Sequence, residues 1–115
     1  MAIQSLEQFK AAFKVEPTEV ALDDFGKDAV FLLKPLTSAA RDHFEASVVG
    51  VDGKRNLENL RARLVATCLV NEKGESIATA KQLGELPAQV MAALFDAVRH
   101  ANGMDTEDVE DAGKD

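Results

Sequence analysis

Residues 56–103 read NLENLRARLVATCLVNEKGESIATAKQLGELPAQVMAALFDAVRHANG, and this stretch decides the fold. Apolar residues recur at helical spacing in its first and last thirds. The spacing predicts a helix over residues 57–69, with Asn56 as its N-cap. An Asn-Glu-Lys-Gly turn that ends at Gly74 closes this helix. The pattern is typical of a small helical domain.

The second half of the same stretch carries its own helix signals. Thr79 and Gln82 have the spacing of a capping box, which predicts a short helix that ends at Gly84. Pro87 then stands at the first position of a longer helix. Gly103 follows Asn102 and predicts the end of that helix.

One charge interrupts the apolar face of the helix over residues 57–69. Arg61 falls within the arc that the apolar side chains share on a helical wheel; they are Leu57, Leu60, Leu64, Val65 and Cys68. Its stem can cover apolar surface while the guanidinium reaches water. Alternatively, Arg61 pairs with a carboxylate and holds one helix against another, within or between subunits.

The N-terminal half predicts two more helices and a hairpin. Ser5 and Gln8 form a capping box for an amphipathic helix that ends near Lys14, with Leu6, Phe9 and Phe13 on its apolar face. Residues 18–34 favour a β-hairpin around a turn-rich connection. A helix over residues 38–48 follows, capped by Thr37, with Ala40, Phe44 and Val48 on its apolar face. We therefore expect an α+β fold, mainly α, with about five short helices and one N-terminal β-hairpin.

The negative charge is concentrated at the C-terminus. The whole chain of 115 residues has a net charge of −7. Six acids and one lysine follow Met104, so the tail carries −5 and the remainder −2. We expect a single domain over residues 1–103 and an acidic tail over residues 104–115 that is frayed or disordered without a partner. This distribution disfavours nucleic-acid binding, which needs clustered Lys and Arg.

The sequence shows no grouping of residues that predicts catalysis. His43 and His100 lie on different predicted helices, and neither has a second metal-ligating residue at helical spacing. Cys68 is the single cysteine and continues an apolar face, which indicates a buried structural thiol. Phosphate-binding glycine motifs are absent. We predict no enzymatic activity and no catalytic, metal or cofactor site.

Cellular location follows from the same features. One cysteine excludes an intramolecular disulfide and is consistent with a reducing cytosol. No apolar run approaches the length of a membrane span, and the first residues lack the pattern of a signal peptide. We expect a soluble, intracellular protein without a membrane partner.

Several of these segments together resemble a known family. The main segments are residues 61–70 (Arg-Ala-Arg-Leu-Val-Ala-Thr-Cys-Leu-Val), the turn of residues 71–74 and residues 83–87 (Leu-Gly-Glu-Leu-Pro). Residues 31–36 (Phe-Leu-Leu-Lys-Pro-Leu), 101–104 (Ala-Asn-Gly-Met) and 106–109 (Thr-Glu-Asp-Val) fit the same pattern. They resemble the tail assembly chaperones of siphoviruses, the lambdoid-type long-tailed bacteriophages. Two positions depart from the family's pattern: Asn71 stands where Asp is common, and Ile77-Ala78 where Leu-Phe is common.

The resemblance implies a role in virion assembly. Such chaperones bind the long, aggregation-prone tape measure protein, keep it soluble and help to recruit tail tube subunits around it. They act in the host cell cytoplasm and are absent from the mature virion. Many exist in two forms, the longer produced by ribosomal frameshifting. This chain resembles the short, pre-frameshift form, and the longer form is the candidate for the contact with the tail tube protein.

The amphipathic helices supply the candidate contacts for client binding and for self-association into a homo-oligomer. We expect interaction through the flanks of the second, third and last helices, and the candidate residues are Phe44, Arg61, Val90 and Leu94. The alternative hypothesis is a small acidic regulatory or adaptor protein, antitoxin-like or anti-repressor-like, that binds a basic partner. A genomic neighbourhood without tail genes would favour that alternative.

Overall fold

The computed structural model describes residues 2–21, 30–49, 54 and 57–104. Within them the elements are α1 (Leu6–Ala12), β1 (Thr18–Ala21), β2 (Val30–Leu33), α2 (Ser38–Val49), α3 (Leu60–Cys68), β3 (Leu69–Val70), α4 (Ala80–Leu83) and α5 (Ala88–Ala101). The fold is α+β and mainly helical, as predicted. The predicted cap Asn56, the hairpin connection and the acidic tail beyond Met104 lie outside the described residues.

A three-stranded antiparallel sheet replaces the predicted two-stranded hairpin. Its order is β1-β2-β3, with Thr18 opposite Leu33 and Leu33 opposite Leu69. The hairpin itself is confirmed, whereas the predicted continuation of the third helix through Leu69 is wrong. At Leu69 the backbone becomes extended, and Lys34 N donates to Cys68 O at 2.8 Å. The third strand stabilises a hairpin that would be marginal alone.

The helix α3 begins three residues later than predicted. Its N-cap is Asn59, whose φ of +51° is left-handed, and Leu57 precedes the helix on the surface. Asn tolerates this conformation better than most residues, so the chain can turn sharply into the helix here. The predicted start at Leu57 is therefore wrong, and Leu57 does not extend the apolar face of α3.

Most of the other helix ends follow the predicted chemistry. Thr37 Oγ1 accepts from Ala40 N at 3.1 Å, and the capping box of Thr79 and Gln82 is complete. Pro87 is the N-cap of α5, one position before the predicted one. At α1, Ser5 Oγ accepts from Gln8 N, but Gln8 Oε1 accepts from the N–H of Gln4 rather than of Ser5. This helix ends at Ala12, before the predicted Lys14.

The core lies where α3 packs against α5 and α4, and Leu33 of β2 belongs to the same cluster. Its most fully buried side chains are Leu33, Val48, Leu64, Val65, Cys68 and Val98. Helix α2 adds Phe44 to the same cluster. Helix α1 has no buried residue, so the core forms without it.

Candidate interaction surfaces

The first candidate surface is the apolar face of α1. Leu6, Phe9 and Phe13 are 68%, 51% and 69% exposed. The rings of Phe9 and Phe13 stack on each other with centroids 6.1 Å apart. Spacings of three and four residues place all three side chains on one side of the helix. We call this surface the α1 face.

The second candidate surface is a groove of about 450 Å³ between the start of α3, the end of α4 and the start of α5. We call it the α3–α5 groove, and the side chains that define it are Leu57, Leu60, Arg61, Leu83, Leu86 and Met91. Leu57 is 46% exposed and Leu86 is 38% exposed. The sequence pattern does not identify either leucine as a surface residue. Helical spacing predicts that Leu57 belongs to the apolar arc of α3, and Leu86 stands in the segment of residues 83–87 that resembles the family. The signal that identifies them is their position beside Asn59 and Gly84, where the helices end.

Arg61 stands at the edge of the α3–α5 groove. Its guanidinium carbon lies 5.3 Å from the ring centroid of Phe95, and that of Arg99 lies 5.6 Å from the same centroid. Arg99 Nη2 also donates to Asp96 Oδ1 at 2.5 Å. Arg61 contacts no carboxylate within the described ranges. Its exposed guanidinium is therefore held by an aromatic ring, and a pair between subunits stays a prediction.

The four predicted contact residues do not form one exposed surface. Phe44 and Leu94 are buried in the core, and Val90 is half-buried against it. Arg61 alone among the four is exposed. Phe44 and Arg61 border different depressions of the surface. The role of these residues in binding stays a prediction.

Cys68 is buried, as its place on the apolar face predicted. Burial raises the pKa of its thiol from 9.0 to about 11, and the hydrogen bond from Asn102 partly opposes this rise. Asn102 Nδ2 lies 3.8 Å from the sulfur. A thiol with a raised pKa is a poor nucleophile at neutral pH, so its position indicates a structural role.

Neither histidine belongs to a metal-ligand cluster among the residues that the structure describes. His43 and His100 are both exposed. In the part of the chain that the structure describes, no group of three His, Cys, Asp or Glu residues could hold a metal ion. Over the same residues, no helix combines the length and the apolar character needed to cross a membrane.

Comparison with known proteins adds no further identification. No family model matches the chain, and neither the curated proteins nor the solved structures give a match.

Proposed function

We propose that this protein is a tail assembly chaperone of a siphovirus, in its short, pre-frameshift form. The proposal starts from the resemblance of residues 61–70, 71–74, 83–87, 101–104 and 106–109 to that family. The structural observation that carries it is the amount of apolar surface left open by a small domain. Seven large apolar side chains are exposed among the described residues: Leu6, Phe9, Phe13, Val30, Leu57, Ile77 and Leu86. Leu6, Phe9 and Phe13 share one side of α1, and a contiguous exposed apolar patch is typical of an interaction surface.

The client in this proposal is the tape measure protein, a long chain with apolar helical faces. The α1 face and the α3–α5 groove would cover such faces before the tail tube closes around them. The net charge of −7 favours solubility of the complex, because like-charged complexes repel one another. By binding the apolar faces of the client reversibly, the chaperone would prevent its aggregation and keep it in a soluble complex.

Other parts of the proposal follow from the same role. The protein would self-associate, help to recruit tail tube subunits, act in the host cytoplasm and leave before the virion is complete. No reaction is required of it, because binding and release account for the whole function.

Co-expression tests the proposal directly. The tape measure protein encoded beside this chain would be produced with it, without it, and with an unrelated acidic domain of equal net charge. We expect several-fold more soluble tape measure protein in the culture that also produces this chain than in the other two cultures. The two proteins should also co-purify. Equal solubility in all three cultures would contradict the chaperone proposal and favour the adaptor alternative.

A further inference from the structure

Strand β1 lies at the edge of the sheet, and its outer edge is unpaired. The sheet has the order β1-β2-β3, so β2 is the only strand that pairs with β1 among the described residues. Outside that pairing, no backbone hydrogen bond joins Thr18–Ala21 to a described residue. In an antiparallel pair, alternate residues point their N–H and C=O groups away from the neighbouring strand. Two of the four residues of β1 therefore present unpaired backbone groups to the outside.

This edge borders a groove of about 880 Å³ between β1 and α5. We call it the β1–α5 groove, and the side chains that define it are Thr18, Val20, Ala93, Ala97, Ala101 and Met104. Val20 and Ala97 pack against the hydrophobic core, and Met104 belongs to it. The three alanines are spaced four residues apart, so they lie on one side of α5. Because their side chains are short, the groove has room for side chains of another segment.

We propose that the β1–α5 groove binds an extended segment of another protein, which joins the sheet as a strand beside β1. The backbone of this segment would pair with the outward N–H and C=O groups of β1. Every second side chain would then enter the groove and contact the alanines of α5. The unpaired edge specifies a strand as the occupant, because the backbone groups of a helix are already bonded within the helix. Apolar side chains at alternate positions are the chemistry that fits.

The charges around the groove indicate which kind of segment binds. Its charged or titratable lining residues are Asp96, Arg99 and His100, and the first two pair with each other. Glu19 of β1 is exposed and makes no ion pair with a described residue. The whole chain carries a net charge of −7. A neutral or basic segment of another protein is therefore favoured over the acidic tail of this chain and over a second copy, since like charges repel.

The length of β1 limits the contact to a short strand. β1 has four residues, and Pro17 directly precedes it. A short edge next to a proline disfavours open-ended strand addition, so the added contact should remain one strand. The β1–α5 groove is separate from the α1 face and the α3–α5 groove, and its test uses a synthetic peptide instead of the client. This inference therefore does not rest on the chaperone proposal.

Binding of a synthetic peptide to the full chain tests the proposal. The probe has alternating valine and threonine residues with lysines at both ends. The control peptide has the same sequence, with methyl groups on three consecutive central backbone nitrogens that block both edges of a strand. We expect the probe to bind with a dissociation constant of about 1 mM or lower, and the control to bind at least about tenfold more weakly, as measured by fluorescence anisotropy. A probe that does not bind, or a control that binds equally well, would overturn the proposal.

Amide hydrogen exchange, followed by NMR, identifies what covers the edge of β1. In the free protein the outward amides of β1 should exchange rapidly at low and at high protein concentration. The probe should slow them at least about tenfold and shift the amide signals of Ala93 and Ala97, while the signals of α2 stay unchanged. Slow exchange in the free protein at low concentration would show that the chain covers its own edge, and slow exchange only at high concentration would show that a second copy does. Either result would overturn the proposal.

A pair of variants tests the groove itself. Ala93→Trp fills the groove without a change of charge, and Ala46→Trp is the matched control at an exposed position of α2 outside it. We expect Ala93→Trp to weaken binding of the probe at least about tenfold and Ala46→Trp to leave it unchanged. Circular dichroism verifies that both variants fold, and the exchange measurement on the wild type does not depend on either of them. Equal binding by a folded Ala93→Trp variant would contradict the assignment of the groove.

Discussion

The side-chain amide of Asn102 joins segments that are far apart in the sequence. Its Oδ1 accepts from Leu36 N at 2.8 Å, and its Nδ2 donates to Val98 O at 2.9 Å and towards Cys68 Sγ at 3.8 Å. The residue thus connects the entry of α2, the end of α3 and the end of α5. This gives a structural reason for Asn at a position that sequence analysis interpreted only as part of a helix stop.

Asn102→Ala should destabilise the protein by about 1–3 kcal/mol, because the half-buried N–H of Leu36 loses its acceptor. Urea denaturation measures the change. Asn102→Asp is the matched control, because it keeps an acceptor for the N–H of Leu36 but loses both donated hydrogen bonds. Its loss of stability should therefore differ from that of the alanine variant. An alanine variant as stable as the wild type would contradict this account of the amide.

The buried thiol of Cys68 predicts a loss of stability in alkali. Because burial raises the pKa of this thiol from 9.0 to about 11, the unfolded chain loses its proton first as pH rises. The stabilising contribution is complete below pH 9, falls between pH 9 and pH 11, and amounts to about 3 kcal/mol. Urea denaturation from pH 8 to pH 11 measures it.

Cys68→Ala is the control for the alkaline effect. The variant should be less stable than the wild type below pH 9, and it should lose less stability between pH 9 and pH 11 than the wild type does. Parallel pH profiles for the two proteins would show that other groups cause the loss.

At the scale of elements, Gly103 terminates α5. Gly103 N donates to His100 O at 3.2 Å, and Met104 N donates to Arg99 O at 2.8 Å, which is the hydrogen-bond pattern of a Schellman motif. The φ of Gly103 is +63°, and a Cβ built there meets nothing within 4 Å. Met104, the following residue, is buried against the core. The motif turns the chain so that this side chain can pack.

Gly103→Ala should therefore destabilise the protein by about 1 kcal/mol through backbone conformation alone, since no side-chain clash arises. Thermal unfolding followed by circular dichroism measures the change. Gly103→Asn should lose less, because Asn enters the left-handed region more readily. Equal losses for the two variants would point to a cause other than φ.

At the scale of the whole molecule, α3 and α5 supply most of the buried core, whereas α1 has no buried residue and contributes exposed apolar surface. Leu64 is fully buried on α3, and Phe9 on α1 is half exposed. The two residues therefore have different roles. One holds the domain together, and the other is available to a second chain.

Leu64→Ala should lower the free energy of unfolding by about 2–5 kcal/mol, because it leaves a cavity in the packed core. Phe9→Ala should change it by no more than about 0.5 kcal/mol at concentrations where the protein is monomeric. Urea denaturation at low and high protein concentration measures both. A large loss for Phe9→Ala at low concentration would show that α1 packs against its own domain.

Much of the fold was predictable because its signals are local. Thr37 caps α2, Thr79 and Gln82 cap α4, and Gly103 ends α5, as the sequence analysis predicted. Each of these interactions joins residues within about four positions, so residue type and spacing suffice to identify them. The buried position of Cys68 was predictable for the same reason, since it continues a helical period.

The candidate surfaces were less predictable. Periodicity placed Leu6, Phe9 and Phe13 on one face, but the same pattern describes a helix that packs on its domain and one that does not. Arg61 was identified as an anomaly, but its partner Phe95 lies on another helix, 34 positions away. The sequence around Arg61 does not predict which ring or carboxylate its guanidinium will contact.

The sequence alone determined the hairpin, the presence of the helices and the caps at Thr37, Thr79 and Gly103, because backbone hydrogen bonds and side-chain caps act between neighbours in the chain. It did not determine the ends of α3. Tertiary structure decided three further features. Leu69 and Val70 became a strand because β2 offered an edge to pair with. Leu57 and Leu86 came to border one groove, and α1 was left outside the core. These outcomes depend on which segments far apart in the sequence pack together. That packing is determined by the burial of apolar surface over the whole molecule.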